Sequence, residues 1–575
     1  MLKIVKRMSL VSVFVALGFM LVQVMSDLYL PTLTSNIIDK GVAQGDIPYI
    51  WSVGGVMIGF SFISILAAIG NTYFATKEAQ KLGKQLRSEI FSKVSHASHN
   101  QMDKFGTASL ITRTTNDVNQ IQMVAQMFLR LMIHAPITLV GASFLAYQKN
   151  AELTKVFLIT IPILIVFIGI VMYFAVPLFK SMQKKTDRLN LVFREGLTGV
   201  RVIRAFNRGD YEADRFDEAN HDFVSTAIKV NTIMAMMIPI VTVIMSGTTI
   251  LIVWQGSHLI ADMKMEVGHM IAFMTYATEI LISFLTLSMI FIMVPRAQAS
   301  AVRINEVLDL EDDLEQPKTP TALSTTQENV SLEFDHVDYR YKGAENLALK
   351  DVNFSLKGGE TLAIIGGTGS GKTTLVNLIP RFFDIESGEI KLNGVPVNTV
   401  DKEELVDHIG FVPQKAMLFT GTIRENLQYG KENAIDEELW HALEIAQAKT
   451  FVSELEEGLD SHVEQGGGNF SGGQRQRLCI ARALVKEADV FVFDDSFSAL
   501  DFKTDAKLRD ALKKDIKEEI VVIVAQRIST VIDADLILVI DEGKIVGQGT
   551  HDELKESCET YQEIISSQMR EEEIA

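Results

Sequence analysis

Hydrophobic positions in this chain follow two different patterns. Through the first 300 residues they gather into six apolar stretches, at 10–33, 50–74, 124–147, 156–179, 228–254 and 270–294. Each runs to about 20 residues or more, enough for a helix to cross a hydrocarbon core of about 30 Å. Several carry Gly or Ser, and the fifth carries Pro239, which membrane helices accept. Beyond residue 330, short β-branched runs alternate with helical spacing and glycine turns, the pattern of an α/β domain.

The loops between the apolar stretches alternate in length and charge. Those after the first, third and fifth are short and hold only Lys40, then Lys149 and Lys155, then Lys264. Those after the second and fourth are long and basic. One carries Lys77, Lys81, Lys84, Arg87 and Lys93; the other runs from Lys180 through Arg188 and Arg194 to Arg208. Basic loops stay in the cytoplasm, so both termini are expected inside, in a multi-pass protein of the cell membrane. Apolar residues at mixed three- and four-residue spacing predict helix through 75–130 and 180–229, with reversals near 100–106 and 207–217. The N-terminal segment, with Lys3, Lys6 and Arg7 ahead of an apolar run, starts like a signal peptide. The apolar run continues past Met25 to Pro31 with no clear small-x-small cleavage site, so it is expected to be a retained first span.

Composition supports this division. The hydrophobic share is 47% and mean hydropathy is +0.19, more apolar surface than water tolerates. A net charge of −18 argues against a nucleic-acid partner. The two cysteines, Cys479 and Cys558, lack metal-ligand spacing and are expected as unpaired thiols. Around 311–328 acidic residues, Pro317 and Pro320 mark a linker. The expected organisation is a transmembrane domain over 1–312, a linker over 313–330 and a second domain over 331–575. The expected fold is an all-α six-helix membrane domain with long cytoplasmic helical extensions, fused to an α/β P-loop domain.

The second domain carries the chemistry. The apolar run Ala363, Ile364, Ile365 feeds Gly366, Gly367, Thr368, Gly369, Ser370, Gly371, Lys372, Thr373 and Thr374, a complete GxxxxGK[ST] loop. Its glycines let backbone N–H groups wrap a phosphate, Lys372 adds charge at the terminal phosphates, and the Thr373 hydroxyl can ligate Mg2+. The helix that starts there turns its positive end toward the anion. A second apolar run, 490–493, ends in Asp494, placed to hold Mg2+ through water. Between the two lie Ser471, Gly472, Gly473 and Gln474.

In this order and spacing the phosphate loop, the SGGQ segment and the Asp-terminated strand resemble the ATP-binding cassette (ABC) family. The preceding six spans resemble that family's exporter half-transporters, and the resemblance covers essentially the whole chain. It implies ATP and Mg2+ as ligands and an ATPase coupled to transport. It further implies adenine stacking by Tyr341, and Mg2+ sensing by Gln414 within Phe411-Val412-Pro413-Gln414. The 471–474 signature would act on ATP bound to a partner cassette. Ser498-Ala499-Leu500-Asp501 matches the loop that joins the two sites, and residues 464–468 match a contact to the partner's cytoplasmic helices.

Two positions depart from the family pattern. Asp495 stands where the family places a glutamate general base; the side chain is one methylene shorter, leaving its carboxylate roughly 1–1.5 Å back. Gln526, in Ala525-Gln526-Arg527, stands where a switch histidine is usual, and an amide neither carries charge nor accepts a proton effectively. Both departures belong to the site of this chain's own phosphate loop, while the signature is intact. That asymmetry resembles the degenerate-site subunit of bacterial heterodimeric multidrug exporters, and it implies a different half-transporter as partner. A slow homodimer using Asp495 as base, and a non-hydrolysing regulatory subunit, are the alternatives. For the substrate, Asp27 and Glu279 are acids at membrane depth, suited to amphipathic cations or to helix–helix hydrogen bonds. Met234, Met236, Met237, Met245, Met274, Met289 and Met293 either adapt to varied ligands or pack between helices. Drugs are the first expectation and lipids the second.

Overall fold

The computed structural model describes residues 2–310, 317, 319–323 and 330–574. Of the expected linker, residues 313–316, 318 and 324–329 lie outside the described residues, as does the side chain of Met289. The chain divides into two compact units, one of Met1–Ser95 with Thr107–Leu310, the other of His96–Gly106 with Glu311–Ala575.

Six helices among the described residues of the first unit are long and apolar enough to cross a membrane. They are Leu10–Asn36, Ile47–Ser95, the broken run 107–149, Lys155–Thr198, Gly209–Ala261 and Val267–Leu308. The fifth has 53 residues, about 80 Å at 1.5 Å per residue, far more than a bilayer core requires. Large apolar side chains such as Phe14, Trp51, Leu158, Tyr173 and Ile238 stand exposed along these helices, the surface that lipid covers. Inside the bundle, Met20, Val24, Leu28, Ala142, Phe273 and Tyr276 pack together. Phe157 stacks on Phe273 at 5.1 Å, and the Tyr276 hydroxyl donates to Leu28 O at 3.0 Å.

Toward the ends of the third and sixth helices, buried Asp117 accepts from Arg303 Nε at 2.7 Å and from Ser300 Oγ at 2.9 Å. Burial raises the Asp117 pKa, but the bonds from Arg303 and Ser300, with the charges of Arg303 and Arg113, hold it below the usual range. Arg113 in turn reaches Glu306 at 2.8 Å.

The second reversal lies earlier than 207–217. The fourth helix ends at Thr198, Val200–Ala205 forms a separate turn, and the fifth helix opens at Gly209. Residues 210–217 are therefore helical. Asp210 and Glu212 sit in the first turn, where negative charge favours helix, and Asn207 takes the positive φ of 52° that reverses the chain.

The second unit contains twelve strands among its described residues. They are β1 (Ser331–Tyr339), β2 (Leu349–Lys357), β3 (Thr361–Gly366), β4 (Ser387–Leu392), β5 (Val395–Pro396), β6 (Ile409–Val412), β7 (Gly421–Thr422), β8 (His462–Val463), β9 (Val490–Asp494), β10 (Ile520–Val524), β11 (Leu536–Asp541) and β12 (Lys544–Gly549). A four-stranded antiparallel sheet has the order β2-β1-β4-β5, and a six-stranded sheet the order β12-β11-β3-β10-β9-β6. The larger sheet is parallel apart from the β11–β12 pair. β9 and β10 are buried along their whole length, which is why they read as unbroken apolar runs. The segment His96–Gly106 adds a short helix, His99–Phe105, whose start is closed by reciprocal bonds between Ser98 and Gln101.

Candidate active site

The register of the parallel strands decides what meets at their carboxyl ends. Val524 lies opposite Ile364 on one side and Asp494 on the other, and Val412 lies opposite Phe493. The loops after β3, β6, β9 and β10 therefore emerge along one edge, the usual ligand edge of such a sheet. They deliver the phosphate loop, Gln414, Asp495 and Gln526.

The phosphate loop needs glycine at three positions, Gly369 and Gly371 for positive φ (+81° at Gly369) and Gly366 for close approach. Gly371 has φ +110°, and a side chain at Gly366 would put Cβ 2.1 Å from Ile540 O. At Gly367 and Gly369 a Cβ would meet nothing within 4 Å, so the outer face of the loop is open. Lys372 leads the following helix, and its Nζ donates to Gly366 O at 3.0 Å and Gly367 O at 2.7 Å. Burial lowers the Lys372 pKa, against the opposing pull of Asp495 and Asp494. The Ser370 hydroxyl is buried with no hydrogen-bond partner among the described residues. An open glycine cradle with an ammonium across it and an unused buried hydroxyl fits a polyphosphate.

Thr373 Oγ1 donates to Asp494 Oδ1 at 3.0 Å, setting two oxygen ligands side by side, the donor set a hard cation prefers. Asp494 is only 2% exposed. Burial raises its pKa; the Thr373 bond opposes this, Asp495 adds to it and Lys372 opposes it.

Asp495 occupies a left-handed conformation, φ +49°, and its N–H donates to Val524 O at 3.1 Å. Two side-chain amides converge on one of its oxygens. Gln526 Nε2 donates to Asp495 Oδ2 at 2.9 Å and Gln414 Nε2 donates to the same atom at 3.3 Å. The two departures from the family pattern are thus bonded to each other, with Gln414 as a third member.

Tyr341 follows β1 and is 39% exposed. Its ring stands edge-on to Tyr339 and Phe383, and its hydroxyl bonds Thr374 Oγ1 at 2.9 Å. That hydroxyl contact ties the aromatic directly to the phosphate-loop helix.

The signature stands apart from this group. Ser471 caps the helix Gly472–Leu484: its Oγ accepts from Gln474 N at 3.3 Å while Gln474 Oε1 accepts from Ser471 N at 2.9 Å. Ser471 and Gly472 are exposed, and among the described residues no hydrogen bond joins residues 471–474 to the phosphate loop. A Cβ on Gly473 would lie 3.3 Å from Ala499 O, so glycine there lets the 498–501 loop approach. Asp501 caps the next helix through Thr504, accepting from its N–H at 3.0 Å and its hydroxyl at 2.7 Å.

The acids at membrane depth lie on different helices. Asp27 Oδ1 accepts from Ser64 Oγ at 2.5 Å, a bond between the first and second helices. Glu279 and His134 lie within electrostatic reach of Asp27. His134 is not singled out in the sequence, because a lone histidine after a basic loop carries no spacing signal.

Comparison with known proteins agrees with this geometry. Residues 13–285 match the ABC transporter transmembrane region and residues 349–498 match the ABC transporter family. An uncharacterized ABC transporter ATP-binding protein of Mycobacterium tuberculosis is 40% identical, across 95% of this chain and 94% of its own. An uncharacterized ABC transporter ATP-binding protein of Bacillus subtilis is 37% identical, across 97% and 96%. An ATP-dependent lipid A-core flippase of Vibrio vulnificus is 28% identical, across 96% and 94%. The solved structure of a bacterial Atm1-family ABC exporter with ATP bound shares the fold, with a TM-score of 0.80, 22% identity, and 97% of this chain and 98% of that one covered. The chain belongs to the ABC transporters, as a multi-pass half-transporter of the exporter type whose α/β domain binds ATP and couples its hydrolysis to transport.

Proposed function

We propose that this half-transporter works beside a different half-transporter, holds ATP at a degenerate site of its own, and donates residues 471–474 to the partner's competent site. The observation that carries this is the convergence of Gln526 and Gln414 on Asp495 Oδ2. A carboxylate set back by one methylene and engaged by two amide donors is a poor base for water, and displacement of about 1 Å costs on the order of 100-fold in rate. Tyr341 and residues 366–374 would hold the nucleotide. Thr373, Gln414 and, through water, Asp494 would hold Mg2+, which neutralises charge on the phosphates when bound. The ATP-binding unit faces the cytoplasm on this reading, in keeping with the basic loops. Closure of two cassettes would move the helices through the reversals at His96–Gly106 and 199–208.

The substrates are amphipathic and carried outward, drugs first and lipids second. Asp27 and Glu279 at membrane depth support a cationic head group, and the similarity to a lipid A-core flippase keeps lipids in view.

The test is ATP hydrolysis by this chain purified alone and co-purified with a half-transporter that carries Glu and His at the positions matching Asp495 and Gln526. Near-zero turnover alone and robust turnover in the pair, abolished by Ser471→Arg and only weakened by Asp495→Asn, is the expected outcome. Robust turnover by the chain alone that disappears with Asp495→Asn would make it a homodimer with an Asp base. A pair whose activity ignores Ser471→Arg would make the chain a regulatory subunit.

A further inference from the structure

The C-terminal helix Glu559–Ile574 carries a polar residue where its apolar stripe should continue. Tyr561, Ile564, Ile565 and Gln568 fall at i, i+3, i+4 and i+7, one face of a helix. Tyr561 is fully buried, its hydroxyl bonded to His551 Nδ1 at 2.8 Å, and Ile564 and Ile565 pack on the main core of the unit. The stripe docks the helix and brings the Gln568 carboxamide to the turn after β10. There Gln568 Oε1 accepts from Ile528 N at 2.8 Å, and Gln568 Nε2 donates to Gln526 O at 2.6 Å. One side chain thus brackets Gln526-Arg527-Ile528 through its backbone, as a neighbouring strand would. The same turn is held from the other side by Arg527, whose guanidinium reaches Leu500 O and Ser498 O at 3.4 Å each and lies 4.7 Å over the Phe502 ring. Gln568 lines the same open cleft as Asp495, Ser498 and Gln526.

We propose that Gln568 is a positioning residue for the switch-position turn, by which the C-terminal helix fixes Gln526 where it reads the terminal phosphate. It acts through the Gln526 backbone and touches neither nucleotide nor water. The proposal rests on the function proposed above, and on Gln526, at the switch-histidine position, facing the γ-phosphate of ATP held by residues 366–374. An apolar residue at 568 would complete the stripe and dock the helix equally well, so packing alone gives no reason for an amide there.

The experiment compares MgATP and MgADP affinity in the full-length chain, since only the triphosphate reaches Gln526. Gln568→Met keeps the length of the side chain and removes both bonds. It should cut the preference for ATP over ADP by about tenfold, the scale of one or two net hydrogen bonds, while ADP affinity and melting temperature stay put. Gln568→Glu keeps the acceptor for Ile528 N–H but sets a carboxylate against the Gln526 carbonyl, and should lose the preference as well. Ser567→Ala, on the exposed face next to it, should not. Faster amide exchange at Ile528 in Gln568→Met would locate the effect in the turn. If Gln568→Met and Gln568→Glu keep the preference within about twofold, inside the net worth of one hydrogen bond, while Gln526→Ala abolishes it, the positioning role is wrong and the Gln526 reading stands. If Gln526→Ala also keeps the preference, the Gln526 reading fails and this proposal falls with it.

Discussion

The phosphate-loop site and the signature differ in how their polar groups are engaged. Around the loop, side chains from four different strand ends bond to one another: Thr373 to Asp494, and Gln526 and Gln414 to Asp495. At the signature, Ser471 and Gln474 bond only within one helical turn, and Ser471 and Gly472 face solvent. The first arrangement is held by bonds within its own chain. The second is a pre-formed, locally stable helix start with no ligand-binding partner among the described residues of its own chain. Chemistry that turns over ATP needs groups left free to respond to the nucleotide. By that criterion the signature is ready and the Asp495 group is committed.

Converting the closed site into an open one is the strongest way to break this contrast. The double variant Asp495→Glu with Gln526→His should raise hydrolysis at this chain's own phosphate loop by on the order of 100-fold, the scale associated with moving a reacting group by about 1 Å. Each single change should give far less than half of that effect on a logarithmic scale, because the two residues are bonded and act as a unit. Single-turnover hydrolysis in the pair, with the partner's phosphate-loop lysine removed, isolates the site. Single-variant gains that add up to the double-variant gain would show that the Gln526–Asp495 bond does not hold the carboxylate back.

Lys372→Ala tests the other half of the contrast, that the closed site still grips nucleotide. The ammonium is the one formal positive charge in the loop, and a hydrogen bond to a charged group is worth about 1.5–3 kcal/mol. ATP retention by this chain should fall by roughly tenfold or more, read as bound nucleotide after rapid gel filtration. Partner-site turnover should fall less, since the signature helix is built independently of the loop.

Much of this is legible in the sequence alone, and what is not has two causes. The six apolar stretches, the two long basic loops and the strand-loop-helix around Lys372 are local patterns, set by spacing within a few tens of residues. The second reversal was placed too late because Asn207 and the acidic residues after it look like loop composition, whereas Asp210 and Glu212 at a helix start are stabilising. The contacts that give the site its character join residues distant in sequence. Gln526 and Asp495 are separated by 31 positions, Gln414 and Asp495 by 81, and Gln568 and Gln526 by 42. No periodicity reports such pairings; they follow from which strands share an edge.

Acidification offers a smaller effect with a definite sign. Burial raises the Asp494 pKa, so in the folded chain without ligand this carboxyl holds its proton more tightly than in the unfolded chain. Protonation therefore stabilises the ligand-free fold as pH falls through the raised value. Binding of Mg2+ with ATP needs the ionised form and is opposed by the same protonation. The rise in melting temperature produced by MgATP should shrink on acidification, starting at a pH above the ordinary aspartate range. A shift that holds constant down to that range would show Asp494 ionised by its Thr373 bond in spite of its burial. The signature has no buried carboxylate within it, so Ser471→Arg should leave this pH profile unchanged.

The smallest expected effect concerns Tyr341, and it sharpens the contrast because the signature has nothing equivalent. Tyr341→Phe keeps the ring and removes the hydroxyl that bonds Thr374 Oγ1 at 2.9 Å. Thr374 directly follows Thr373 at the end of the phosphate loop, so that bond fixes the aromatic relative to the triphosphate. A ring held there by one net hydrogen bond should lose about threefold in ATP affinity when the bond is removed, near the low end of the usual range. Tyr341→Ala removes the stacking surface too and should cost about tenfold or more, since stacking on a base is worth about 1–3 kcal/mol. The Tyr339 and Phe383 rings each stand at 78° to the Tyr341 ring. Equal losses from Tyr341→Phe and Tyr341→Ala would mean that the hydroxyl alone matters, and that Tyr341 braces the Thr374 helix without stacking on adenine.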